Sequence, residues 1–195
     1  MAEPAEGAAA VRAARKAAEA ETAGRICDPA LPESFSRPQG VFVTISEYPS
    51  GGLRGCIGYP EPVFPLKEAL VLAARAAACH DPRFPPMRPG EADRCIFEVT
   101  LLTVPESIKF DTLDELKAQI RIGTDGLIIT YRGNRGLFLP QVPVEWHWNV
   151  EEYLNNLARK AGLPPDTWRK KGASFARFQG EIFTETEPHG DVVRQ

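Results

Sequence analysis

The chain has 195 residues, 43% hydrophobic and 25% charged, and 23 Lys+Arg against 26 Asp+Glu leave a net charge of −3. A chain of this size buries roughly 70% of the surface its unfolded form exposes, so it needs no metal or disulfide to fold, and collagen-like, coiled-coil and wholly disordered chains are excluded. The charge balance argues against a globally basic nucleic-acid binder, and no stretch approaches the ~18 apolar residues of a membrane span.

In chain order, the Ala-rich, charged segment Ala8–Ala23 predicts a helix, stopped by Gly24. The residues before it (1–7) read as a flexible end. A Pro-rich connector runs from Asp28 to Gly40. The β-branched run Val41–Glu47, the turn YPSGG at 48–52 and LRGCIGY at 53–59 predict a hairpin. A helix follows from about Pro65 to Cys79, with Leu66, Ala69, Leu70, Ala73, Ala74 and Ala77 as its apolar stripe.

The segment Asp81–Gly90, DPRFPPMRPG, predicts a rigid irregular loop, and Arg94–Val104 a long strand. Thr112 and Glu115 form a capping box for a short helix. Strands are expected at Leu127–Tyr131 and Leu137–Val142, on either side of the turn RGNRG. Asn149 with Glu152 caps a helix ending near Gly162, Asp166 opens a last short helix, and Ser174–Thr184 reads as one final strand. The polar tail from Pro188 (188–195) reads as a frayed end. This order, without strict βαβα alternation, predicts an α+β fold with mainly antiparallel sheets and packed helices.

The four cysteines, Cys27, Cys56, Cys79 and Cys95, form no C-x-x-C pair and no zinc-finger spacing with a histidine, so neither metal nor cofactor is expected. The N-terminus lacks the apolar core of a signal peptide, which makes cytoplasmic location with reduced thiols the expectation. Phosphate-loop, hydrolase-triad and zinc-protease motifs are absent.

On a strand, Arg54 and Cys56 share a face with Cα atoms ~6.5–7 Å apart, while Leu53 and Ile57 face the core. A guanidinium beside a thiol favours the nucleophilic thiolate. Gly55 and Gly58 leave room for a ligand against the backbone. The plainer alternative makes Cys56 a small buried hydrophobe and Arg54 a surface charge. His80, at the end of a helix, is a candidate proton-transfer partner if its loop meets Cys56. Asp81 reads better as an organiser of that loop. His147 suggests packing or capping, His189 a solvated tail residue, and Glu98 and Thr100 the solvent face of a strand. The clusters Arg132/Arg135 and Arg169/Lys170/Lys171 read as solvated turns and helix ends.

LRGCIG at 53–58 resembles the signature of the AMME chromosomal region gene 1 protein family, and HDPRFPP at 80–86, FEVTLL at 97–102, GTDGLII at 123–129, GLFLPQV at 136–142 and RKAGLPPDTW at 159–168 are similar to its further blocks. The resemblance implies one AMME-type domain of two unequal α+β lobes with a cleft between them. It also implies association with Memo-like and radical-SAM-like proteins. Its motif residues include Leu53–Gly58 together with Asp81, Pro82, Arg83 and Phe84.

The expectation is then a thiol-dependent enzyme with Cys56 and His80 as catalytic candidates. Arg54, Gly55, Gly58, Asp81 and Arg83 would bind a small or anionic substrate. The alternative is a non-catalytic ligand- or protein-binding module built on the same residues, with no membrane role and no nucleic-acid partner.

Overall fold

The structure, a computed structural model, describes residues 3–195. Its elements are α1 (Pro4–Thr22), β1 (Val41–Glu47), β2 (Leu53–Tyr59), α2 (Leu66–Cys79), β3 (Cys95–Leu102), β4 (Glu106–Ile108) and α3 (Leu113–Ala118). They continue with β5 (Gly126–Tyr131), β6 (Asn134–Phe138), α4 (Val142–Glu145), α5 (Val150–Lys160), β7 (Ser174–Phe178), β8 (Gly180–Glu185) and β9 (Val192–Arg194). The chain divides into two compact units, residues 104–180 and the remainder. The α+β class expected from the sequence is observed.

In the first unit, five strands form one sheet in the order β2-β1-β3-β8-β9. β1 pairs antiparallel with β2 and β3, and β9 antiparallel with β8. Alternation places Val41, Val43 and Ile45 of β1 and Phe97, Val99 and Leu101 of β3 on one face. That face is buried together with α1 and α2, whose Ala residues let the helices approach closely. The predicted stripe of α2 is the buried one.

Both chain ends differ from expectation. α1 begins at Pro4, inside the segment read as a flexible end, because Glu3 and Glu6 form a reciprocal capping box. Gly7 is buried against the ring of Phe183. Met1 and Ala2 lie outside the described residues. The tail read as frayed pairs as β9, with Phe183↔Arg194, Thr184↔Val193 and Glu185↔Val192 in register.

Arg15 of α1 is the centre of a buried network. Arg15 Nε and Nη2 donate to the two carboxylate oxygens of Glu185 at 2.7 and 2.5 Å. Its remaining donors reach the carbonyls of Ala92 (2.9 Å) and Cys95 (2.7 Å). Burial opposes the charge, but Glu185 outweighs it and raises the Arg15 pKa. The second oxygen of Glu185 also accepts the Phe97 N–H at 2.8 Å.

In the second unit, β4-β7-β5-β6 form an antiparallel sheet covered by α5 and α3 residues. The Thr112 and Asn149 caps are as predicted, with Oγ1 and Oδ1 accepting the N–H groups of Glu115 and Glu152. β6 starts three residues earlier than expected, since Arg132 and Gly133 both take positive φ and close a two-residue hairpin. Asp166 does not cap a helix; Pro164 precedes a 3-10 turn there. The single final strand is two, β7 in this sheet and β8 in the other.

Candidate functional site

The site is built on the β1–β2 hairpin, where Thr44 pairs with Cys56 and Ile45 with Gly55. The next pair is Ser46 with Leu53, so Arg54 is the extra residue of a bulge. A bulge breaks the alternation on which the sequence reading depended. Leu53, expected in the core, is 43% exposed, and Arg54 is 7% exposed.

Arg54 is committed away from Cys56. Its Nε donates to Glu91 at 2.6 Å and its Nη2 to the Pro85 carbonyl at 2.9 Å, with the guanidinium carbon 5.9 Å from the Phe84 ring centroid. Nη1 is buried and makes no hydrogen bond among the described residues. Its charge acts on the thiols of Cys79 and Cys95, where desolvation dominates and pushes both pKa values up. Those two cysteines are therefore held as poorly nucleophilic thiols.

The cation beside Cys56 is Arg83. β2 is the edge strand of its sheet, so the N–H and C=O of Cys56 that point outward have no strand partner. The loop after α2 supplies both partners. Asp81 Oδ2 accepts the Cys56 N–H at 2.9 Å, and Arg83 Nη2 donates to the Cys56 carbonyl at 3.1 Å.

Asp81 also accepts from the Arg83 backbone N–H (3.1 Å), Nε (2.9 Å) and Nη2 (2.7 Å). Hydrogen bonds from Arg83, opposed by burial, hold the Asp81 carboxyl far below the usual carboxylate range. Arg83 is raised by Asp81 first, and also by charge and hydrogen-bonding interaction with Cys56. The loop organiser expected at Asp81 is thus also the clamp that fastens the loop to the strand.

The sulfur of Cys56 lies 3.2 Å from Thr44 Oγ1. Across β1 from Thr44 stands Glu98 of β3. Cys56, Thr44 and Glu98 therefore form one row on the sheet face opposite the Val43 side. Glu98 was expected to be a solvent-face residue; it is half-buried, and desolvation raises its pKa. Thr44 was missed because the hairpin register was not worked out from the sequence, and the row to Glu98 because it depends on β3 pairing beyond the hairpin.

The two glycines answer to packing. A Cβ at Gly55 would sit 2.0 Å from the Ala77 carbonyl oxygen of α2, and one at Gly58 2.3 Å from the Phe42 ring. His80 does not join the group. Its side chain is 65% exposed, and Nε2 meets Glu21 of α1 at 3.2 Å, beside the Arg75–Glu21 pair. The expected meeting of His80 with Cys56 is replaced by this contact, because His80 ends α2 on the side facing α1. The site residues that come together are Cys56, Asp81 and Arg83, with Thr44 and Glu98 alongside.

Among known proteins, the AMMECR1 family model matches residues 10–183. Protein MJ0810 of Methanocaldococcus jannaschii is 51% identical over 97% of this chain and 95% of its own length. A protein of Aquifex aeolicus is 48% identical over 85% of this chain and 83% of its own. The crystal structure of the uncharacterized protein PH0010 from Pyrococcus horikoshii superimposes with a TM-score of 0.79 at 43% identity, covering 98% of this chain and 97% of that one. By the family model and by these relatives, the chain belongs to the AMMECR1 family.

Proposed function

We propose that the protein is a thiol-dependent enzyme whose reactive group is Cys56, acting on a small anionic substrate. The observation that carries the reading is the placement of Arg83 against Cys56, fixed by the buried Asp81 carboxylate. The Arg83 guanidinium interacts with Cys56 by charge, and it can hold the anionic group of a substrate while Cys56 gives up its proton and its sulfur adds to an electrophilic carbon. The Arg83 side chain is 53% exposed, so part of it remains available to an incoming anion. Thr44 orients the sulfur, its Oγ1 lying 3.2 Å away.

Brief alkylation of the folded protein with iodoacetamide, followed by peptide mapping, tests the reading. Cys56 is expected to be modified before Cys27, Cys79 and Cys95. Labelling of Cys56 only after unfolding would overturn it and leave the motif as a backbone clamp of a binding module.

A further inference from the structure

We propose that Glu19, Asp93 and His189 bind a divalent first-row transition-metal ion, at a site separate from Cys56. The three residues come from α1, from the 3-10 turn Glu91–Arg94 and from the turn between β8 and β9. One ligand atom from each lies within 4.8 Å of the other two. His189 Nε2 is already 3.0 Å from Asp93 Oδ1.

Ligand atoms held at about 2.1 Å from an ion are roughly 3.0–3.4 Å from one another. Closing from 4.8 Å requires a shift of roughly 1.5 Å, which rotation of exposed side chains supplies. Asp93 and His189 are both exposed, and the contact of Glu19 with Arg15, at 3.4 Å, engages one of its carboxylate oxygens.

The buried Arg15 network positions these ligands. Arg15 stands one helical turn before Glu19, holds the carbonyl of Ala92 next to Asp93, and pairs with Glu185 at the end of β8, just before the turn that carries His189. One buried cation thus ties together the three elements that supply ligands. Their backbones are fixed before any ion arrives, so little ordering remains to be done on binding.

The chemistry of the donors selects the ion. Two carboxylates neutralise a divalent charge, and an imidazole nitrogen favours transition metals over magnesium and calcium, which take oxygen ligands. Three protein ligands leave coordination positions for water or for a further ligand.

The test is Mn2+ titration of the chelator-treated full chain, followed by electron paramagnetic resonance, since Mn2+ has little affinity for the cysteine thiols. The expected result is one bound Mn2+ per chain, displaced by Zn2+ and not by equimolar Mg2+. Loss of an outer-shell partner alone typically weakens a metal site 10–100-fold, so His189→Ala and Asp93→Asn should each lose about tenfold or more in affinity. Both positions are exposed, and unchanged circular dichroism verifies that the variants fold. No bound ion at millimolar Mn2+, or equal binding by the wild type and His189→Ala, overturns the proposal.

Discussion

Replacing Gly55 with alanine adds one methyl group at the tightest point between the hairpin and α2. The new Cβ would lie 2.0 Å from the Ala77 carbonyl oxygen and 3.0 Å from its carbonyl carbon. Real Cβ contacts essentially never fall below 3.0 Å, so strand and helix must part by about 1 Å at this point. The obstacle is backbone, and α2 is buried along Leu66, Ala69, Leu70, Ala73, Ala74, Ala77 and Ala78. A gap of 0.5–1 Å forfeits a quarter to a half of each dispersion contact it opens. Overpacking of this kind costs about 1–3 kcal/mol, and a backbone obstacle places Gly55→Ala at the upper end.

With roughly 2–4 °C lost per kcal/mol in a chain of this length, the unfolding midpoint should fall by about 6–12 °C. Gly51→Ala is the control. Gly51 has φ +73 with nothing within 4 Å, so it carries only the strain of a left-handed residue, about 1–2 kcal/mol. Differential scanning calorimetry reads both. A Gly55→Ala midpoint equal to or above that of Gly51→Ala would refute the packing account of the motif.

Three further outcomes are expected. Asp81→Asn replaces one acceptor oxygen by an amide facing N–H donors, and should cost about 1–3 kcal/mol at neutral pH. Because the folded carboxyl pKa is depressed, the wild-type advantage is present above the ordinary carboxylate pKa of about 3.9 and fades as pH falls below it, which acid titration of the two proteins measures. Glu98 has the opposite sign: its raised folded pKa gives stability below the ordinary value of about 4.3 that is lost as pH rises through the folded pKa. Glu98→Gln should therefore stabilise the fold at neutral pH and not at acid pH, and a lower midpoint at neutral pH would contradict this. Deleting residues 188–195 removes β9 and uncovers the edge of β8, so the midpoint should drop by several degrees; an unchanged midpoint would show that the paired strand contributes nothing.

Local signals carried much of this fold. The hairpin, the α2 stripe and the caps at Thr112 and Asn149 follow from periodicity and capping chemistry within a few residues. What escaped the sequence depends on distant partners. The bulge at Arg54 exists where Gly55 lets α2 close onto β2, and nothing in LRGCIG alone announces it. The Arg15–Glu185 pair spans 170 residues, so nothing near Arg15 in the sequence announces it. The run Ser174–Thr184 has strand composition throughout, and only pairing divides it between two sheets. At the site, Cys56, Asp81 and Arg83 were legible as motif residues, but Arg54, the cation assigned to the thiol, is engaged by Glu91 and the Pro85 carbonyl. His80 was judged by its chemistry, while its position at the end of α2 directs it to Glu21.

The central claim is that Arg83, not Arg54, serves the Cys56 sulfur. The direct measurement is the iodoacetamide alkylation rate of Cys56 in the folded wild type, Arg83→Met and Arg54→Met, below neutral pH. Arg83 is half-exposed, so its charge is screened and contributes about 0.5–1 kcal/mol. The account predicts that Arg83→Met slows Cys56 by about two- to fivefold, while Arg54→Met leaves the rate within that margin of the wild type. An unchanged rate in Arg83→Met, or a larger loss in Arg54→Met, would contradict it.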